Sequence, residues 1–176
     1  KQSFDMGTIL DRLEAKAYLH AGLTFVFRDE ATKEDVTFLH PNGIADFLPK
    51  LVAGRGKGQV HPTPFSLFKE NGVRIEAVLV WTESPDEHVR SYANGIPTVN
   101  GGSHESGFLS AIVKAVRAYM EAKSIQPKGV TLTADDIREG TVALLSVYLA
   151  EPQFQGQTKD RLNNPEAGPA VEGVVR

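Results

Sequence analysis

The stretch Val142-Ala-Leu-Leu-Ser-Val-Tyr-Leu149 decides the fold, because it is an almost unbroken apolar run with polar sequence on both sides. An apolar run of about this length, rich in branched residues, is typical of a buried strand. We therefore take residues 142–149 as the core strand of the domain and work outward from it.

Helices and strands are predicted to mix along the chain before this strand. Thr133-Ala-Asp-Asp136 resembles a capping box and predicts a short helix that ends near Gly140. Asn42 is the predicted N-cap of an earlier helix. The other predicted helices span residues 8–19, 42–52 and 103–123, and the other predicted strands span residues 23–28, 36–39, 65–69, 73–81 and 88–93. This order suggests an α+β or α/β two-layer domain, and the tail after Asn164 carries no convincing helix.

The amino-acid composition argues against several classes of function. The chain has 176 residues and a net charge of −3, which argues against a surface that grips nucleic acid everywhere. It contains no cysteine, so thiolate catalysis and Cys-ligated zinc are excluded, and a reducing compartment fits. No apolar run approaches the ~20 residues of a membrane span, and we expect no signal peptide. The absence of a starting methionine suggests a piece of a longer protein.

The common catalytic and metal-binding motifs are absent or incomplete. Gly54-Arg-Gly-Lys-Gly58 lacks the first glycine and the final Ser or Thr of a phosphate-binding loop, so a flexible surface loop is favoured. No histidine pair has metal-ligand spacing, and there is no nucleophile motif. His104 starts the long helix, where it would either bind an anion or pack locally behind a capping Ser103. Asp135 and Asp136 lie in the first turn of a predicted helix, where the positive end of the helix dipole favours them, and this explains the pair without catalysis.

The polar segment after the core strand carries the most chemistry. Gln157 offers two amide donors, and Lys159 offers a compact charge suited to a phosphate oxygen. Gly156 lets the backbone turn or approach a ligand closely. A solvated polar loop explains the same residues, and chemistry alone does not decide between the two interpretations.

Four motifs in order resemble the B subunits of bacterial type IIA topoisomerases, namely those of DNA gyrase and of topoisomerase IV. Gln153-Phe-Gln-Gly-Gln-Thr-Lys-Asp-Arg-Leu162 is similar to their P-x-F-x-x-Q-T-K-x-x-L segment, with Pro152 just before it. The stretch at residues 4–22 resembles their F-x-x-x-x-L-x-x-R-L-R-E-x-A-F-L-N-x-G motif. The stretches at residues 94–108 and 135–140 resemble their N-x-I-x-T-x-x-G-G-T-H-x-x-G-F and D-D-x-R-E-G motifs. The similarity covers nearly the whole chain.

The resemblance implies that residues 1–176 form a single transducer domain, without the upstream ATPase domain or the downstream DNA-cleavage domain. The implied fold is an α+β two-layer sandwich of the ribosomal-protein-like type. It has a mixed sheet, helices on one face and a left-handed βαβ crossover, which departs from the usual right-handed rule. Carried over to this sequence, Gln157 and Lys159 contact the γ-phosphate of ATP held in the neighbouring ATPase domain, and Lys159 is the candidate catalytic residue.

The same resemblance implies the partners. These are the ATPase domain of the same subunit, a second B subunit, the A subunit and double-stranded DNA, in the bacterial cytoplasm and without a membrane. ATP and Mg would be held mainly by the upstream domain. Lys114, Arg117 and Lys123 on the long helix are candidates to face DNA. The motifs do not separate gyrase from topoisomerase IV. An assembly module that relays motion without touching nucleotide, and a separate small-molecule enzyme, remain alternatives.

Overall fold

The computed structural model describes residues 4–55 and 58–175. The helices are α1 (Met6–Leu19), α2 (Ile44–Ala53), α3 (Ser103–Lys123), α4 (Ala134–Arg138) and α5 (Ala167–Val175). The strands are β1 (Phe25–Asp29), β2 (Glu34–Phe38), β3 (Phe65–Asn71), β4 (Val73–Trp81), β5 (His88–Ala93), β6 (Ile96–Pro97), β7 (Thr141–Tyr148), β8 (Phe154–Gln155) and β9 (Arg161–Leu162). The predicted bounds of β4, β5 and α3 are confirmed.

The central sheet contains five strands in the order β3-β4-β7-β5-β6. Strand β4 pairs antiparallel with β3 and β7, whereas β5 runs parallel to β7. Because parallel neighbours cannot be joined by a tight turn, the chain crosses from β5 to β7 through α3. The predicted α+β class and mixed sheet are confirmed. The left hand of the crossover stays a prediction.

Helices pack on both faces of this sheet. On one face, Leu145 of β7 belongs to a core that includes Phe108 of α3 and residues of α5. On the other face, Leu144 belongs to a core that includes Leu48 of α2 and residues of α1. The predicted mixed sheet with helices packed on it is confirmed, but the helices cover both faces rather than the one face that was predicted.

The apolar run of the core strand explains this second covered face. Successive residues of a strand point to opposite sides of the sheet. In β7 the side chains from Val142 to Val147 are all fully buried, so both sides must be shielded from water. A strand with only one covered face would alternate apolar and polar residues instead.

Helix α5 is an element that the sequence did not predict. Gly168, Pro169 and Gly173 all lower helix propensity. The helix is held by close packing on α3, where a Cβ added to Gly107 would lie 2.4 Å from the carbonyl oxygen of Gly168. Contact at this distance requires glycine, so the residues that hide the helix in the sequence also allow it to dock.

The sequence predicted the N-terminal caps of α2 and α4, and only the prediction for α4 is confirmed. The N-cap of α2 is Gly43 rather than Asn42, because the Asn42 amide instead donates to Oδ1 of Asp46 at 3.0 Å. The capping box of α4 is confirmed, since the side chains of Thr133 and Asp136 each accept a bond from the other residue's backbone amide.

Candidate functional site

Gln157 and Lys159 lie at the exposed tip of the β8–β9 hairpin (the tip hairpin, residues 154–162). The hairpin is closed by the pairs Phe154 with Leu162 and Gln155 with Arg161. The structure therefore brings the two predicted phosphate-binding residues together on one projecting turn.

The tip adopts a constrained backbone. Gly156 has φ 72° and Lys159 has φ 59°, both in the left-handed region. For a residue with a Cβ this conformation costs roughly 1–2 kcal/mol. Nζ of Lys159 lies 5.8 Å from the centre of the Phe154 ring, which provides a modest cation–π contact. Among the described residues no carboxylate forms an ion pair with Lys159, so its positive charge is available to an anion.

The base of the hairpin is fastened to the loop before α3. The Leu162 amide donates to the Gly101 carbonyl at 3.2 Å, and the Asn100 amide donates to the Asp160 carbonyl at 2.9 Å. Arg161 Nη1 donates to the Asn100 carbonyl at 2.8 Å. Gly102 forms a parallel bridge with Leu162, which is itself almost fully buried. An exposed tip thus stands on a buried base.

Asn164 lies where the hairpin rejoins the domain, and its side chain is buried. Its Oδ1 accepts from the Gln153 amide at 2.6 Å, and its Nδ2 donates to the Glu151 carbonyl at 3.0 Å. Ser103 Oγ donates to the Asn164 carbonyl at 2.6 Å. Sequence reasoning missed Asn164, because its partners lie along the chain in positions that no local pattern connects.

The start of α3 carries a buried polar network. His104 is fully buried, and its Nε2 lies 3.1 Å from Thr98 Oγ1, which lies 2.7 Å from Ser91 Oγ. Ser91 Oγ donates to Glu105 Oε2 at 2.5 Å. A carboxylate only accepts, so the chain of donors runs from His104 Nε2–H through Thr98 and Ser91 to Glu105.

His104 is thereby a packed residue rather than an anion ligand. Burial lowers its pKa from 6.5 to about 4, so the ring is neutral at neutral pH and attracts no phosphate. Local packing, the simpler of the two predictions, is confirmed. Ser103 is not the cap, since the N-cap of α3 is Gly102 and the Ser103 hydroxyl bonds Asn164 instead.

The three cations proposed to face DNA have different surroundings. Lys114 Nζ lies 2.5 Å from Glu172 Oε1, and Arg117 donates to the Leu132 carbonyl at 3.2 Å. Lys123 is exposed near the end of α3. Lys114 is thus partly neutralised within the domain, and a DNA-facing role for all three stays a prediction.

Other parts of the surface offer less chemistry. An apolar groove of about 650 Å³ is lined by residues that include Phe65, Trp81 and Tyr119, and no residue of the tip hairpin contributes to it. Across residues 4–55 and 58–175 no cluster of three His, Asp or Glu is arranged to hold a metal ion. The same ranges contain no helix long and apolar enough to cross a membrane.

The glycine-rich loop of residues 54–58 is only partly described. Gly54 is the C-cap of α2, whereas a phosphate-binding loop precedes its helix. Gly56 and Lys57, on which the surface-loop prediction also depends, lie outside the described residues.

The sequence matches the DNA gyrase B family over residues 43–176. The chain belongs to this family. It is 36% identical to the B subunit of DNA gyrase from Chlamydia muridarum, over 97% of this chain and 22% of that protein. It is 34% identical to the B subunit of DNA topoisomerase 4 from Streptococcus pneumoniae, over 98% of this chain and 27% of that protein. The chain therefore spans roughly a quarter of the length of these relatives.

A solved structure shares the fold. The 43K ATPase domain of Thermus thermophilus gyrase B, in complex with an aminocoumarin, superposes with a TM-score of 0.88 at 36% identity. The match covers 99% of this chain and 47% of that chain. The fold described here is therefore one that this gyrase B structure shares over nearly the whole chain.

Proposed function

We propose that the chain is the transducer domain of an ATP-dependent type IIA DNA topoisomerase. In this proposal Gln157 and Lys159 reach the γ-phosphate of ATP bound, with Mg, in the adjacent ATPase domain of the same subunit. Hydrolysis would then be coupled to DNA strand passage, in an assembly with a second B subunit, the A subunit and double-stranded DNA. The isolated chain would be inactive, because the nucleotide is held elsewhere.

The proposal rests on the exposed position of Lys159. Lys159 is exposed on a turn that projects from a buried base, and no carboxylate of the described residues pairs with it. Gln157, two residues earlier on the same turn, adds amide donors. An ammonium and an amide at one tip suit the equatorial oxygens of a transferred phosphoryl group, where positioning and charge stabilisation dominate catalysis.

In this proposal the tip would also sense hydrolysis. Contacts made only to the γ-phosphate disappear when that phosphate leaves. A ligand shifts a conformational equilibrium by its differential affinity for the two states. Loss of these contacts would therefore release the tip hairpin from the ATPase domain and allow the whole domain to rotate.

A second candidate function rests on the cation–π contact. Lys159 Nζ lies over the Phe154 ring, so its charge also stabilises its own hairpin. The domain would then relay motion through a rigid hairpin without touching nucleotide. In that case removal of the Lys159 side chain would lower stability and leave ATP turnover unchanged.

The experiment that separates the two compares Lys159→Ala with Lys33→Ala in the full-length subunit. Lys33 is a matched control, because it is an exposed lysine with φ 62° in the turn between β1 and β2. Both substitutions keep the same backbone strain. We expect Lys159→Ala to lower the kcat of ATP hydrolysis by about 10²–10³-fold, with ADP affinity retained. Equal turnover in the two variants would exclude the phosphate contact.

A further inference from the structure

Asn164 uses both donors and the carbonyl oxygen of its side-chain amide in a buried site. The side chain is about 1% exposed. Oδ1 accepts from the Gln153 amide, and the two Nδ2 hydrogens go to the Glu151 carbonyl and to Glu166 Oε1 at 2.7 Å. An amide has two donors and one carbonyl, so each group of Asn164 has a partner.

These bonds close the neck of the tip hairpin. Glu151 and Gln153 lie where the chain leaves the core for β8, and Asn164 lies just after it returns from β9. A backbone bond from the Asn163 amide to the Gln153 carbonyl, 2.8 Å long, lies beside them. The side chain of Asn164 therefore joins the outgoing and returning segments at one point.

The main chain of Asn164 joins that point to two helices. Its carbonyl accepts from Ser103 Oγ at the start of α3 and from the Ala167 amide at the start of α5. The direction of the hairpin is thereby set relative to both helices.

A simple helix-capping role does not account for Asn164. A capping residue places its side-chain oxygen on the first free amides of the helix. Oδ1 of Asn164 is instead directed to Gln153, away from α5. Two of the three side-chain bonds join the hairpin neck, and the third goes to Glu166 just before α5.

We infer that Asn164 is a positioning residue that holds the tip hairpin in the orientation at which Lys159 meets its phosphate. This inference rests on the function proposed above, and it extends that function from the tip to the neck. A lysine on a hinged hairpin would sample many positions. A displacement of about 1 Å at a reacting group can cost 10²-fold in rate.

The test uses the full-length subunit with Asn164→Ala, Lys159→Ala and the double variant. We expect Asn164→Ala to lower the kcat of ATP hydrolysis by roughly 10- to 100-fold, with ADP affinity unchanged. The loss in the double variant should be much smaller than the product of the two single losses, because Asn164 acts through the same tip that carries Lys159. Hydrogen exchange of the amides in residues 153–163 should accelerate in Asn164→Ala.

Two further variants make the result decisive. Asn163→Ala is the matched control, because Asn163 is an exposed neighbour of the same type, and it should leave turnover and exchange unaltered. If Asn164→Ala fails to fold, Glu166→Ala removes one acceptor of the cluster and should lower turnover by a few-fold with a smaller increase in exchange.

The outcomes distinguish this inference from the proposed function. Normal turnover in Asn164→Ala beside a collapse in Lys159→Ala would overturn only the positioning role. Losses that multiply in the double variant, or unchanged exchange in residues 153–163, would also overturn it. Normal turnover in Lys159→Ala would overturn both.

Discussion

Gly102 and Leu162 meet backbone to backbone at the point where the tip hairpin joins the start of α3. A Cβ added to Gly102 would lie 2.5 Å from the carbonyl oxygen of Leu162 and 2.7 Å from its amide nitrogen. Gly102 has φ 150° and ψ −171°, a conformation that is essentially restricted to glycine. Both the space and the backbone at this position therefore require the absence of a side chain.

Gly102→Ala should separate these two backbones and destabilise the domain. Steric overlap and the forbidden conformation together should lower the free energy of unfolding by roughly 2–4 kcal/mol, measured by urea denaturation. The hairpin amides should exchange faster even where the domain remains folded, because the bridge to Leu162 is lost.

Gly129→Ala is the control for this change. Gly129 has φ 77° but no atom within 4 Å of its added Cβ, so only backbone strain of about 1 kcal/mol is expected. Equal losses in the two variants would show that the close approach of Gly102 to Leu162 contributes nothing.

Close packing of α3 on α5 predicts a second contrast between glycines. Gly107→Ala gains helix propensity of about 1 kcal/mol, but its Cβ would lie 2.4 Å from the Gly168 carbonyl oxygen. Neither atom is on a flexible side chain, so overlap prevails, and we expect a net loss of about 1–3 kcal/mol in unfolding free energy. Thermal or urea unfolding measures it.

Gly173→Ala provides the opposite expectation within α5. No atom lies within 4 Å of a Cβ added there, and its φ is not in the left-handed region. The substitution should raise the free energy of unfolding by roughly 0.5–1 kcal/mol. A gain of similar size in Gly107→Ala would contradict the packing of the two helices.

Sequence patterns located the elements whose signal is local. The alternation of β4 and the spacing of apolar residues in α3 predicted their bounds, and the capping box of α4 needed only residues 133–136. Helix α5 was not predicted, because its stability comes from contact with Gly107 rather than from its own helix propensity. The second covered face was implied by the unbroken apolar run of β7, but the resemblance pointed to a single covered face.

The residues of the candidate site also differ in whether their signal in the sequence is local. Gln157 and Lys159 could be proposed from the sequence, because their chemistry and their motif lie together in it. Asn164 and Gly102 could not be proposed in this way, because their contacts are with residues at separate points of the chain, such as Gln153 and Leu162. Residues that position a site through such contacts become visible only after the chain folds.

His104 predicts a pH dependence of stability. Burial lowers its folded-state pKa to about 4, below the 6.5 of an exposed histidine. Between about pH 4 and pH 6.5, His104 binds a proton in the unfolded chain but not in the folded one. Stability from the neutral ring is therefore complete above pH 6.5 and falls as the pH drops towards 4, by about 2 kcal/mol between pH 7 and pH 5.

Comparison with His104→Gln isolates this effect. Glutamine keeps an amide donor for Thr98 but does not titrate. Other groups, such as Glu87, whose pKa burial raises, titrate in both proteins and cancel in the difference. Urea midpoints at pH 5 and pH 7 should therefore differ more in the wild type than in His104→Gln. Equal changes in the two proteins would mean that His104 accepts its proton as readily in the folded state as in the unfolded chain.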